Sequence, residues 1–204
     1  MGARPEWALS LGTEGVAMGL FEFLMILLSV VIGLGLTELL TGAADLLRAR
    51  ETVRFYWIHA VVQLGTFVAL LQQWWESWNF HGVGELSLPA VMMLLVSPVF
   101  LFVVAHLLHP PQAEHIDLRV YYYRQAPLLW GLVVFDTSLG TFVRPLALGV
   151  PVFVADNLSG IPTVAACIAL AASRNPRVHS VIVPLVLVLV VLDTLLANPA
   201  ISTG

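Results

Sequence analysis

The chain has 204 residues, 59% of them hydrophobic and 11% charged, with a formal net charge of −4 and a mean hydropathy of +0.90. Soluble domains run near ~25% charged residues, so this composition belongs to the membrane class and excludes an ordinary water-soluble domain. The acidic balance and the lack of a basic patch exclude a nucleic-acid partner, and the single Cys167 excludes an intrachain disulfide framework or a cysteine zinc site.

Residues 1–15, MGARPEWALSLGTEG, make a poor signal peptide. Arg4 is their only cation, and the apolar run behind it is too long for an h-region, so the first helix is expected to stay in the protein. Glu6 stands where N-myristoylation asks for Ser or Thr.

A membrane span needs about 20 apolar residues. The pattern predicts an all-α, single-domain bundle of six transmembrane helices, at about residues 16–47, 56–78, 86–108, 127–146, 158–172 and 178–197. The first is longer than a bilayer requires and must tilt or project. Along it Ser29, Gly33, Thr37 and Thr41 recur every four residues, a small-residue stripe that suits close helix approach. Glu38 and Asp45 lie on the same helix.

The second span is bracketed by Tyr56 and Trp57 at one end and Trp74, Trp75 and Trp78 at the other, as interfacial aromatics are. His59, Gln63, Thr66 and Gln73 fall on one helical face between them. Lipid would penalise that stripe, so it is expected to face the bundle. The third span holds Pro98, a kink candidate, and closes on His106 and His109. The polar run AEHIDLRVYYYRQA is expected to lie on the membrane surface and lead into span four. There Asp136, Gly140 and Arg144 recur every four residues on one predicted face. Asp156-Asn157 is a candidate cap for the short fifth span. The sixth is interrupted only by Pro184 and Asp193.

Arginine sets the orientation. Arg48, Arg50, Arg54, Arg119, Arg124, Arg174 and Arg177 fall in alternate connections, against only Arg4 and Arg144 on the other side. The positive-inside rule then places both termini outside.

Two groups of residues invite chemistry. Glu38, Asp136 and Asp193 are acids in or near spans, which mark a proton or cation path or serve as internal hydrogen-bond staples. His59 and His106 sit a turn inside neighbouring spans, making them weak candidates for a metal or haem. The histidines are too few for a membrane di-iron site, so no cofactor is implied. No phosphate loop, nucleophile elbow or H-E-x-x-H occurs, which points away from an enzyme.

The segments IGLGLTELLTG, RARETVRFYWIH, QLGTFVALLQQWW and DLRVYYYRQ resemble a family of small bacterial integral membrane proteins. The resemblance covers mostly the first 125 residues. It implies a bacterial inner membrane and brings no activity or catalytic residue.

The leading expectation is a transporter or channel-like protein for protons, cations or a small solute, with Glu38, His59, Gln63, Asp136 and Arg144 in its polar interior. The alternative is a non-catalytic membrane partner or sensor subunit, and after it a haem- or metal-binding redox protein. A continuous polar cavity favours the first, a dry and paired interior the second, and convergent imidazoles the third.

Overall fold

The computed structural model describes residues 20–80, 88–111, 115–147, 151–153 and 159–197. Six principal helices run along them: α1 (Leu20–Arg48), α2 (Trp57–Glu76), α3 (Leu88–Leu107), α4 (Leu118–Ser138), α5 (Gly160–Ala172) and α6 (Pro176–Ala197). A 3-10 turn, Ser77–Phe80, ends α2. A π turn, Leu139–Val143, and a short helix, Arg144–Ala147, extend α4. Three stretches are long and apolar enough to cross a membrane: Phe21–Arg48, Leu118–Val143 and Pro176–Leu195. Val91–Leu107 and Gly160–Ala172 are shorter apolar helices.

The helices close a ring in which α1 meets α3, α3 meets α4, α4 meets α5, α5 meets α6, and α6 returns through α2 to α1. Contact between α2 and α3 divides the ring. Its core gathers Leu70, Ala105, Leu108, Tyr122, Leu129 and Leu170, all at most 1% exposed.

Many large apolar side chains lie on the outer surface. On α1, Leu24, Leu28, Ile32 and Leu39 are buried, yet Phe23, Ile26, Val30 and Leu34 on the other side are more than half exposed. A helix in water carries a polar outer face, so this surface belongs against lipid. Hydroxyls obey the same solvent. Thr37, Thr66, Thr137, Thr163 and Thr194 each donate to the carbonyl four residues back in their own helix.

The seam of α1 is not the expected stripe. Ser29, Thr37 and Thr41 are exposed, and a Cβ on Gly33 would meet nothing within 4 Å. The close approaches are instead at Gly35, where a Cβ would lie 3.0 Å from Leu70, and at Gly42, against the ring of His109. Small size alone gave the stripe no direction, because the leucine face beside it buries more apolar area.

The arginine connections meet at one end of the bundle. Val53–Arg54 (β1) pairs in parallel with Ile116–Asp117 (β2), joining the α1–α2 and α3–α4 connections, and Arg54 lies 3.3 Å from Asp117. Asp117 also caps α4. Its Oδ1 accepts from the backbone N–H of Arg119 at 2.9 Å and Val120 at 3.1 Å. These N–H groups, Val120 first, and then Arg54 hold its carboxyl below the usual carboxylate range. Helix α4 therefore starts nine residues before the span expected at 127. Residues 118–126 of the expected surface run are thus the first turns of α4, which Asp117 caps.

Gly140 lies in the π turn at 139–143, which widens the helical repeat between Asp136 and the short helix that begins at Arg144. The side chain of Arg144 and the candidate cap Asp156-Asn157 lie outside the described residues.

Candidate functional site

Four polar groups punctuate the apolar bundle. The first surrounds the C-terminal end of α3. His59 of α2, 1% exposed, donates from Nε2 to the carbonyl of Leu108 at 2.7 Å. One turn on, Gln63 donates its amide N–H to Nε2 of His109 at 2.9 Å. That bond leaves the ring proton of His109 on Nδ1, which is buried near the Ala105 carbonyl without closing a hydrogen bond to it. Burial holds the His109 imidazole below its ordinary range. On the outer side of the same turn, His106 Nδ1 donates to Glu38 Oε1 at 2.8 Å. The His106 side chain is 71% exposed, so this contact is worth at most about 1 kcal/mol.

The inward direction expected for the stripe on α2 is thus observed for His59 and Thr66, which are buried, and for Gln63, which is half-buried. Glu38 is not deep. It stands level with the last turn of α3, and the final turns of α1 continue beyond it.

The second group is a directed chain at the arginine end. Trp130 Nε1–H donates to the Tyr122 hydroxyl at 3.0 Å, and Tyr122 donates to Nδ1 of His179 at 2.7 Å. His179 Nε2–H in turn donates to the Ser173 carbonyl at 2.8 Å. Tyr122 is 1% and His179 0% exposed. Tyr123 stacks edge-on against both, and its hydroxyl meets that of Tyr56 at 2.9 Å. Four elements are thereby locked together: the α1–α2 connection, α4, the α5–α6 connection and α6. Tyr122 and Trp130 do not stand out in the sequence, where their only signal is an eight-residue spacing.

The third group lies at the opposite end. Gln72 donates from one amide nitrogen to Glu76 Oε1 and to Asp193 Oδ2, each at 2.8 Å. Ser159 donates to the other oxygen of Asp193. Asp193 is therefore a fastening between α2, α5 and α6.

The fourth is Asp136. Its Oδ1 is buried without a hydrogen-bond partner among the described residues, and its hydroxyl neighbour is Ser97 on α3. It lies towards α3, and α4 packs chiefly on α3 and α5. Asp136 comes 18 residues after the start of α4, ~27 Å along the axis from the arginine end. The candidates therefore divide: Glu38, His59 and Gln63 gather around the end of α3 with His106 and His109, and Asp136 stands apart.

Among the described residues no three His, Cys, Asp or Glu side chains are placed to hold a metal. His59 and His106 are near one another in depth, but their bonded nitrogens face Leu108 and Glu38. Comparison with known proteins finds no matching family model, no curated relative and no similar solved structure.

Proposed function

We propose that this chain is a six-span integral membrane protein, of the small bacterial inner-membrane kind that its first 125 residues resemble, acting as a non-catalytic membrane partner or sensor subunit. The observation that supports this reading is the pairing of the polar interior. His59, Gln63, His109, Tyr122, His179, Gln72 and Asp193 all bond to protein groups, as helix fastenings do. The arginine end is then cytoplasmic and both termini face outward. Alkaline phosphatase and a fluorescent reporter, fused in parallel to each terminus, test that arrangement. Phosphatase activity without fluorescence is expected at both. Fluorescence from a cytoplasmic C-terminus would overturn the six-span topology.

A transport reading keeps one specific support, the unpaired Oδ1 of Asp136. A carboxyl within a spanning helix that keeps one oxygen unbonded is where proton and cation carriers place their working acid. Asp136→Asn keeps shape and much of the hydrogen bonding while removing the charge. In proteoliposomes, the partner reading expects no proton, cation or solute flux from wild-type protein. Flux that is present in wild type and abolished in a folded Asp136→Asn variant would replace that reading with transport.

A further inference from the structure

At the arginine end an open cleft of about 270 Å³ lies between the first turns of three helices. Tyr56 and Trp57 line it at the start of α2, Arg119 at the start of α4, and Pro176, Arg177 and Ser180 at the start of α6. Both guanidinium-bearing residues are exposed. Among the described residues neither is in an ion pair; the pairs are Arg48 with Asp45, Arg54 with Asp117, and His106 with Glu38. Two arginines without an ion-pair partner among the described residues, far apart in sequence, therefore line one cleft.

We propose that this cleft binds the phosphate of a bilayer phospholipid, with preference for an anionic headgroup; the proposal rests on the membrane reading given above. Guanidinium offers planar, paired N–H donors that match phosphate oxygens, and it stays charged at any physiological pH. The ends of α4 and α6 are satisfied by Asp117 and Asn175, whereas α2 has no side-chain cap. Its first-turn N–H groups add positive potential beside the two arginines. A zwitterionic headgroup brings its own cation into this field, and an anionic one does not.

The surface below the cleft selects a lipid over a free phosphate. Arg177, Val181, Leu185 and Val188 recur at helical spacing down one face of α6, and the three apolar members are exposed. On α2, which packs beside α6, Trp57, Leu64 and Leu71 recur every seven residues and are likewise exposed. An apolar lane on each helix thus descends from the charged cleft, matching acyl chains below a phosphate. Tyr56 and Trp57 sit at the junction, the depth that interfacial aromatics occupy.

The test uses the purified full chain in detergent, titrated separately with phosphatidylglycerol, phosphatidylcholine and inorganic phosphate. Thermal midpoint and retained lipid by native mass spectrometry are the readouts. Phosphatidylglycerol is expected to raise the midpoint of wild type and to stay bound, more weakly matched by phosphatidylcholine, with inorganic phosphate giving no shift. Arg119→Gln/Arg177→Gln should weaken phosphatidylglycerol about tenfold or more, the loss of charge-assisted contacts. Arg50→Gln/Arg124→Gln, which removes two arginines of the same end from outside the cleft, should bind as wild type does. Equal affinity in wild type and the cleft variant, or an equal loss in the control, would overturn the site. An inorganic phosphate shift as large as that of the lipid would overturn the lipid assignment. Should the glutamine variant not fold, Arg119→Lys/Arg177→Lys is measured in its place; it keeps the charge but not the paired donors and is expected to fall below wild type, and equality would again overturn the site. The reporter fusions read topology separately, so a failed topology and a failed lipid site give different results.

Discussion

Tyr122→Phe is expected to lower the stability of the purified protein by about 2–4 kcal/mol, although it removes a single oxygen. Burial is not at issue, because the ring keeps its place against Tyr56, Tyr123 and His179. The loss is in the hydrogen bonds. The Tyr122 hydroxyl accepts from Trp130 and donates to His179, and those partners are 4% and 0% exposed. Removing the hydroxyl strands one buried donor and one buried acceptor at about 1–3 kcal/mol each. Water cannot repair either without opening the joint. A double-mutant cycle gives the check. Trp130→Phe should cost its own packing and one bond, and Tyr122→Phe/Trp130→Phe should cost less than the two single changes added together. Additive costs, or a thermal midpoint for Tyr122→Phe equal to that of wild type, would show that the chain of bonds contributes nothing.

That joint is hidden in the sequence for a physical reason. Tyr122 and His179 are 57 residues apart, and each lies in a run that reads as a polar approach to a membrane helix. The charge, by contrast, is legible. The arginines of alternate connections gather at one end, where Arg54 meets Asp117 and Arg119 and Arg177 line one cleft. The polar stripe of α2 is legible too, since a lipid-facing histidine and glutamine are costly enough to fix a direction. The seam of α1 is not. Both its faces are apolar, so periodicity carries no sign, and the choice falls to shape: Gly35 and Gly42 admit neighbours, and Gly33 faces open space. Asp136 shows a third limit. Its helix is readable from sequence, but its hydroxyl neighbour Ser97 is not, because no spacing within α4 points to a residue of α3.

The three arginine connections explain how a bundle with so few polar groups holds one arrangement. Between lipid-exposed helices there is no hydrophobic drive to distinguish one apolar face from another, and packing with a few hydrogen bonds decides the partners. Here the decisions are made at the two ends. Gln72, Asp193 and Ser159 join α2, α6 and the start of α5 at one. The Trp130–Tyr122–His179 chain and the β1–β2 pairing join the connections at the other. The core between them is built mainly of apolar side chains, which tolerate exchange far better than the fastenings do.

Gly42 and Gly33 lie nine residues apart on α1, and the same substitution should act on them with opposite sign. At Gly33 an added methyl meets nothing within 4 Å, so Gly33→Ala gains helix propensity and is expected to be neutral or stabilising by about 0.5–1 kcal/mol. At Gly42 the new Cβ falls on the imidazole of His109. That ring is held by Gln63 and cannot move aside without losing the bond. Gly42→Ala is therefore expected to cost about 1–3 kcal/mol, as overpacking does. The pH dependence supplies a second readout. Burial depresses the His109 pKa in the folded protein, with His106 adding to it, and Glu38 and Asp45 nearby oppose it. The unfolded chain therefore takes up its proton first as pH falls. This contribution to stability is complete well above the ordinary histidine value of about 6.5, and it is lost as pH drops from there to the depressed folded value. In Gly42→Ala the ring is pushed towards water, the folded and unfolded values converge, and this part of the acid sensitivity should shrink. Thermal midpoints measured between about pH 5 and pH 8 for wild type, Gly33→Ala and Gly42→Ala decide the matter. Equal midpoints and equal acid profiles for all three would mean that α1 and the end of α3 do not meet at Gly42, and that the buried seam of the first helix lies elsewhere.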